Sequence, residues 1–198
     1  MHGSVHDFIV SQTVANWQYL PTGFGSDETI GKVDLIKADT ILSQPVFPKV
    51  LDIGSLDING SMADYNFCNQ GRKWVDMIGA EVFIGIDLVP GRGVDRVMDA
   101  HNLEFPDDTF DLVLCMDTLE HDSDIQKTLS EGYRVLKPGG LFLITTVDAG
   151  HPQHMQEHPV ELPYNFITEN QFEDFISKIK GKTKTWHVGC DLFARIEK

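Results

Sequence analysis

The fold of this chain is decided by residues 50–61, which read Val-Leu-Asp-Ile-Gly-Ser-Leu-Asp-Ile-Asn-Gly-Ser. The apolar residues that begin the stretch are typical of a central parallel strand that is covered on both faces. Gly54 and Gly60 bracket the loop that follows, and glycines let a backbone approach a ligand closely. The stretch therefore predicts a buried strand, a ligand-binding loop and a helix behind it.

This loop differs from the G-x-G-x-x-G loop that binds dinucleotides, because Leu56 and Asn59 occupy the second and third glycine positions. It also carries Asp57, whose negative charge would repel a pyrophosphate group. A nucleoside ligand that carries positive charge suits such a loop better than a dinucleotide.

Strand and helix patterns alternate along the rest of the chain. The alternation predicts an α/β sandwich with a mostly parallel sheet. The predicted strands cover residues 81–87, 94–98, 110–116 and 141–146, with two more within 183–197, and the predicted helices cover 62–79, 123–136 and 168–180. Thr168 is the expected N-cap of the last helix.

The composition bounds the class of protein. At 198 residues the chain is expected to form one domain, and its net charge of −14 argues against a nucleic-acid partner. Three cysteines without a C-x-x-C pair give no disulfide or zinc framework, and no stretch is apolar enough to span a membrane. We expect a soluble, cytoplasmic protein of unknown oligomeric state with no membrane partner.

Residues 48–147 resemble the class I S-adenosylmethionine-dependent methyltransferases, and most closely the type 11 group. The family's acidic-x-Gly-x-Gly-x-Gly signature is present as residues 52–56 and 59–60, with Leu56 in place of the middle glycine. Two further stretches, 105–111 and 134–140, match hallmarks of the family. The resemblance implies a Rossmann-like three-layer sandwich whose seven-stranded sheet has an antiparallel last strand. It also implies a lid-like N-terminal appendage, residues 1–48, on a core of residues 49–198.

The resemblance also implies a set of contacts to S-adenosylmethionine, or to its product S-adenosylhomocysteine. Asp52 would organise the loop and receive the methionine amino group, Asp87 would accept the ribose hydroxyls, and Asp99 would accept the adenine amino group. The expected cofactor-binding residues are Asp52, Gly54, Ser55, Asp57, Asn59, Gly60, Asp87, Leu88, Asp99, Ala100 and Met116.

On the acceptor side, residues 117–121 follow a strand end and would face the methyl donor. His121 is the candidate general base, because its pKa lies near neutral pH, with Asp117 beside it. A hydrogen bond that orients the loop is an equally open interpretation of His121. We expect a substrate-contacting loop at 151–158, with His151 and His154 facing a small-molecule acceptor. Pro152 and Pro159 disfavour a metal site there.

Two other functions remain open from the sequence. A nicotinamide-dependent oxidoreductase shares this type of sheet, but no Tyr-x-x-x-Lys pair is present. A module that binds the cofactor or a partner without turnover is compatible with the altered 55–60 loop. Signatures of DNA-directed methyltransferases are absent after the strand at 110–116.

Overall fold

The computed structural model describes residues 8–9, 12–13, 47–57, 66–67, 72–153 and 159–198. In this part of the chain, the helices with both ends described are α1 (Trp74–Met77), α2 (Ile125–Val135) and α3 (Glu169–Ser177). A 3₁₀ turn, Leu119–His121, precedes α2. The strands are β1 (Lys49–Ile53), β2 (Asn66–Phe67), β3 (Arg72–Lys73), β4 (Val82–Asp87), β5 (Arg96–Val97), β6 (Phe110–Met116), β7 (Leu136–Val147), β8 (Lys182–Val188) and β9 (Asp191–Glu197).

Seven of these strands form one sheet in the order β5-β4-β1-β6-β7-β9-β8. β5, β4, β1, β6 and β7 pair in parallel, whereas β9 runs antiparallel to both of its neighbours. The strand order reverses between β1 and β6, which is where open α/β sheets bind their ligands. The predicted α/β fold, with seven strands and an antiparallel last strand, is confirmed.

Two apolar clusters lie on opposite faces of the sheet because successive strand residues point to opposite sides. One cluster includes residues of α2 and α3 and the strand residues Leu51, Ile53, Val113, Cys115, Phe142 and Ile144. The other includes the alternating neighbours Val50, Leu112, Leu114, Leu141 and Leu143. The central strands are therefore covered on both faces, as the apolar run in residues 50–53 predicts.

The second face is covered partly by residues from the start of the chain. Phe8 and Ile9 are fully buried there, and the Phe8 ring packs against Phe193 and Trp186 with centroid distances of 4.9 and 5.5 Å. Most of residues 1–48 lie outside the described residues, so the predicted lid remains a prediction. The described part of this segment contributes to the core.

The ends of α2 and α3 follow local sequence signals. The Asp124 side chain accepts a hydrogen bond from Lys127 N, and Thr168 forms a capping box with Gln171. Both arrangements satisfy backbone N–H groups that a helix leaves without partners in its first turn. The predicted N-cap at Thr168 is confirmed.

The predicted continuous helix over residues 62–79 is wrong. Residues 66–67 pair antiparallel with residues 72–73, and among the described residues of this range the helix is confined to Trp74–Met77. Asn, Phe and Cys at positions 66–69 are weak helix formers, and Gly71 is disfavoured inside a helix. The last strand of the parallel set also begins earlier than predicted, at Leu136, with an irregular register opposite residues 110–112.

Candidate functional site

The strand-end residues named by the sequence come together at one edge of the sheet. Ile53 lies between Ile86 and Cys115 in the parallel register, so Gly54, Asp87 and Met116 follow at the same level. Gly54 N and Ser55 N both donate to Ile86 O at 3.0 Å. The loop after β1 therefore begins directly beside the end of β4.

Gly54 occupies a position that only glycine fits. Its φ is +73°, and a Cβ atom there would lie 2.2 Å from Thr118 Oγ1. The same Thr118 hydroxyl donates a hydrogen bond to Ile53 O at 3.3 Å. This glycine therefore allows the turn after β6 to pack against the loop after β1.

Asp52 is a buried carboxyl at this edge. Burial, together with the negative charge of Asp87, raises its pKa from 3.8 to about 7. At neutral pH the group is therefore close to half ionised. A cationic ligand group beside it would favour the carboxylate form.

Asp87 connects the end of β4 to the loop after β1. Its Oδ2 atom accepts a hydrogen bond from Leu56 N at 3.2 Å. Leu56, which stands where the family signature has its middle glycine, thus donates a backbone hydrogen bond to the Asp87 carboxylate. This contact holds the Asp87 side chain at the mouth of the predicted cofactor site.

A second glycine-containing loop, residues 88–95, packs against the loop after β1. A Cβ atom on Gly93 would lie 2.5 Å from Ser55 O, and one on Gly91 would lie 2.3 Å from Leu56 Cδ1. The close approach that the missing glycine would have allowed therefore comes from glycines on the opposing loop. The sequence interpretation did not identify Gly91 and Gly93, although their G-x-G spacing was visible.

Asp57 has a partner within the chain. Its carboxylate lies 3.0 Å from Arg92 Nε, and Asp57 N donates to Arg92 O at 2.8 Å. The Asp57 side chain is 4% exposed and the Arg92 side chain 75%. The sequence assigned this charge to a positively charged ligand, whereas in the structure Arg92 lies against it.

Asp99 and Ala100 follow β5, as the sequence predicts. Met98 N donates to Asp87 O at 2.9 Å, which places Asp99 beside the β4 end. Leu88 is exposed, Ala100 is half-buried, and Met116 is buried, with its Sδ atom 3.7 Å from Thr145 Oγ1. Asn59 and Gly60 lie outside the described residues.

On the acceptor side, Asp117 has an unusual backbone conformation. Its φ is +47°, and its N–H is shared between Thr145 O and Thr145 Oγ1, both at 3.1 Å. The Thr145 hydroxyl donates to Asp117 Oδ1 at 2.8 Å. A non-glycine residue in this region is strained, and such strain is concentrated at functional sites.

Glu120 belongs to the stretch 117–121, but the sequence interpretation assigned it no role. It is fully buried, Thr146 Oγ1 donates to its Oε2 atom at 2.8 Å, and its Oε1 atom has no hydrogen-bond partner among the described residues. Burial and the nearby Asp117 charge raise its pKa to about 8. The group is therefore mostly protonated at neutral pH.

His121 lies at the surface of this region. Its Nδ1 atom is 3.4 Å from Pro163 O, and its ring meets Tyr164 edge to face with centroids 5.3 Å apart. Tyr164 in turn meets Phe166, whose side chain is 55% exposed. These rings form an aromatic surface beside Glu120, and the sequence gave no motif for it.

His151 is half-buried after β7, and its N–H donates to Asp148 O at 2.8 Å. His154 lies outside the described residues. Within the described part of the chain, no group of three or more His, Cys, Asp and Glu side chains is arranged to hold a metal ion. No helix of that part has the length and apolar character needed to cross a membrane.

Comparisons with known proteins agree with this architecture. Residues 51–144 match the family described as "Methyltransferase domain". The uncharacterized methyltransferase YcgJ of Bacillus subtilis is 34% identical over 100 residues, which are 48% of this chain and 39% of that protein. A ubiquinone biosynthesis O-methyltransferase of Rhizobium rhizogenes is 31% identical over 105 residues, 50% of this chain and 41% of that protein.

A solved structure shares the fold. It is the 1,6-didemethyltoxoflavin-N1-methyltransferase of Burkholderia thailandensis with bound 1,6-didemethyltoxoflavin and S-adenosylhomocysteine. The TM-score is 0.54 at 18% identity, and the match covers 78% of this chain and 72% of that one.

These findings support the class that the sequence predicted, the class I S-adenosylmethionine-dependent methyltransferases: residues 51–144 match a methyltransferase domain. The cofactor of that class is S-adenosylmethionine. The chain spans about two fifths of the length of the curated relatives it matches.

Proposed function

We propose that this protein transfers a methyl group from S-adenosylmethionine to a small-molecule acceptor by in-line displacement. The observation that carries the proposal is the row of carboxylates Asp52, Asp87 and Asp99. Asp52 lies near the end of β1, Asp87 ends β4 and Asp99 follows β5, and these three strands are neighbours in the sheet. In the parallel register Asp52 faces Gly85 and Asp87 faces Val97, so each carboxylate of the row lies two residues further along than the position that faces the preceding one.

The order of these carboxylates matches the order of polar groups along the cofactor. Asp52 suits a cationic amino group, because such a group would favour its carboxylate form. Asp87 suits the two ribose hydroxyls, since a carboxylate accepts two hydrogen bonds. Asp99 suits the amino group of adenine. Ser55, Leu88, Ala100 and Met116 lie beside this row in the sequence and complete the proposed site.

When bound, S-adenosylmethionine supplies an electrophilic methyl carbon attached to a sulfonium. The residues around it have to position an acceptor atom in line with the carbon–sulfur bond and exclude water, because positioning supplies much of the rate in such a displacement. Asp117, Glu120 and Tyr164 lie at the strand end where the acceptor would sit. The acceptor's proton would pass to His121, to Glu120 in its ionised form, or to solvent.

The acceptor side supports a small molecule rather than a nucleic acid. Asp117 adds a negative charge to the site, and Glu120 adds a buried carboxyl group. The whole chain carries a net charge of −14. A phosphate backbone would be repelled by this charge. The aromatic surface formed by Tyr164 and Phe166 offers apolar contact to a ring or an alkyl group.

The experiment that tests the proposal supplies many acceptors at once. The protein is incubated with methyl-labelled S-adenosylmethionine and the fraction of a cell extract below about 1 kDa. We expect label to enter a small molecule with an equal amount of S-adenosylhomocysteine formed. A parallel incubation contains the protein and nucleic acid of the extract, and label confined to that incubation would contradict a small-molecule acceptor.

The module without turnover remains the alternative from the sequence. It predicts saturable binding of both adenosyl ligands with no S-adenosylhomocysteine produced from S-adenosylmethionine in any extract. The nicotinamide alternative predicts binding of NAD, which is disfavoured because the loop after β1 lacks the G-x-G-x-x-G spacing of a phosphate-binding loop.

A further inference from the structure

His101 lies between two carboxylates that belong to different parts of the sheet edge. Its Nε2 atom is 2.6 Å from Asp122 Oδ1, and its Nδ1 atom is 3.4 Å from Asp99 Oδ1. The backbone N–H of His101 also donates to Asp99 Oδ1, at 2.8 Å. Because an ionised carboxylate can only accept, the short contact with Asp122 needs a proton on Nε2, and Nδ1 can donate to Asp99 only when the ring carries a second proton.

Asp122 is the fixed end of this arrangement. Its side chain is 6% exposed, and its Oδ1 atom also accepts a hydrogen bond from Asp124 N at 2.9 Å. Asp122 O accepts from Asn165 Nδ2 at 2.6 Å. The residue is thus held through both its backbone and its side chain, two residues before Asp124, the N-cap of α2.

Asp99 is the end that needs to be held. Its side chain is 56% exposed, so without partners it would exchange between rotamers in solvent. Both contacts from His101 fall on Oδ1. The backbone N–H of His101 thus holds Oδ1, and the ring anchored on Asp122 limits how far the carboxylate can turn, which leaves Oδ2 pointing away from His101.

We propose that His101, anchored by Asp122, is a positioning residue that orients Asp99 to accept the 6-amino group of the cofactor's adenine. This inference rests on the proposed function, because it takes Asp99 to be the adenine-binding carboxylate. His101 and Asp122 would then determine selectivity for a 6-aminopurine without contacting the ligand. If Asp99 loses this orientation, its hydrogen bond to the adenine amino group is lost. The loss of a hydrogen bond to a charged group lowers affinity by about tenfold or more.

The test uses two ligands that differ only at position 6 of the purine. Calorimetry gives the affinity for S-adenosylhomocysteine and for S-inosylhomocysteine, in which an oxo group replaces the amino group. We expect the protein to prefer S-adenosylhomocysteine by about tenfold or more. The His101→Ala variant should lose most of this preference, and Asp122→Asn should lower it in the same direction.

His187→Ala is the matched control. His187 also lies between two carboxylates, 3.2 Å from Glu169 and 4.0 Å from Asp148, but it is on β8 at the other side of the sheet. Its replacement should leave the ratio of the two affinities unchanged. A thermal melt of each variant establishes that it is folded, and Asp122→Asn tests the same contact if His101→Ala does not fold.

The possible failures are distinguishable. If His101→Ala and Asp122→Asn weaken both ligands equally and keep the ratio, His101 only supports the fold of its loop and the inference is overturned. If the unmodified protein binds both ligands equally, Asp99 does not accept a hydrogen bond from the amino group. The inference then fails, while the methyltransferase proposal stands. If it binds neither ligand, the proposed function itself fails.

Discussion

Single carboxyl groups dominate the chemistry of this site. Asp52 and Glu120 are both buried, and burial holds the pKa of each well above its ordinary value. The two groups differ in what surrounds them, since Asp52 lies beside Asp87 and Glu120 lies near Asp117. Each is a carboxyl whose protonation state a ligand could change.

Asp52 should release a proton when the cofactor binds. In the free protein its pKa is about 7, so at pH 6 the group is mostly protonated, and a bound cationic amino group would ionise it. Calorimetric titration of S-adenosylhomocysteine in buffers of different ionisation enthalpy should show the release of up to about one proton at pH 6 and less at pH 8. In Asp52→Asn this release should disappear. An unchanged release in the variant would assign the proton to another group.

Glu120 should make the protein less stable as the pH rises. Its pKa is about 8 in the folded state and 4.5 in the absence of the fold, so between these values the unfolded chain has lost a proton that the folded chain retains. The free energy of unfolding should therefore fall by up to about 1.4 kcal/mol per pH unit across that range from this group. Glu120→Gln, which resembles the protonated acid, should remove that contribution.

Urea denaturation at pH 5, 6, 7 and 8 measures this effect. Glu161→Gln is the control, because Glu161 is exposed and its replacement changes the formal charge equally. The account is contradicted if Glu120→Gln shows the same pH dependence as the unmodified protein.

At the scale of elements, the site depends on two loops that pack against each other through glycines. The loop after β1 lacks the middle glycine of the family signature, and Gly91 and Gly93 on the loop after β4 give the required space. Asp57 and Arg92 join the same two loops by an ion pair and a backbone hydrogen bond.

Gly93→Ala should separate these loops. Gly93 has a φ of +84°, and a Cβ atom there would meet Ser55 O at 2.5 Å. Backbone strain alone costs roughly 1–2 kcal/mol, and the contact with a backbone oxygen adds to it. We expect loss of stability together with at least about tenfold weaker binding of S-adenosylhomocysteine.

Gly139→Ala is the matched control for this prediction. Gly139 has a φ of +79°, but a Cβ atom there would meet nothing within 4 Å. It should therefore show the loss from backbone strain without the effect on binding. Equal affinities for the two variants would show that the contact between the loops does not shape the site.

These elements show what could be predicted from the sequence. The strand at 110–116 and the cap at Thr168 were correct because their signals are local: an apolar run, and a threonine three residues before a glutamine. The helix at 62–79 was wrong because its prediction relied on the usual order of elements over weak helix formers. The packing of Gly93 on Ser55 joins residues 38 positions apart, and no local pattern encodes such a contact.

The site residues likewise divide into those with a local sequence signal and those that only the fold brings together. Asp52, Asp87 and Asp99 could be found because each ends a recognisable strand. Glu120 was overlooked beside His121, because its burial and its position next to Thr146 depend on the fold. The Asp122–His101 contact likewise joins two loops that only the sheet brings together.

For the whole molecule, the order of the strands is what makes the function possible. The parallel strands bring the carboxylates after β1, β4 and β5 to one edge, and the reversal of strand order between β1 and β6 opens a site beside them. Other acidic groups lie at the opposite edge of the sheet. Asp111, for example, lies near the start of β6, where it pairs with Lys137 at 2.7 Å.

The most direct test of this account is the titration of S-adenosylhomocysteine into the unmodified protein, Asp87→Asn and Asp111→Asn. Asparagine at position 87 can still accept from Leu56 N, but it cannot accept from two ribose hydroxyls as a carboxylate does. We predict saturable binding by the unmodified protein, affinity lowered by about tenfold or more in Asp87→Asn, and little change in Asp111→Asn, which removes the same charge at the opposite edge. The account is contradicted if the unmodified protein does not bind the ligand, or if Asp87→Asn binds it as tightly as the unmodified protein does.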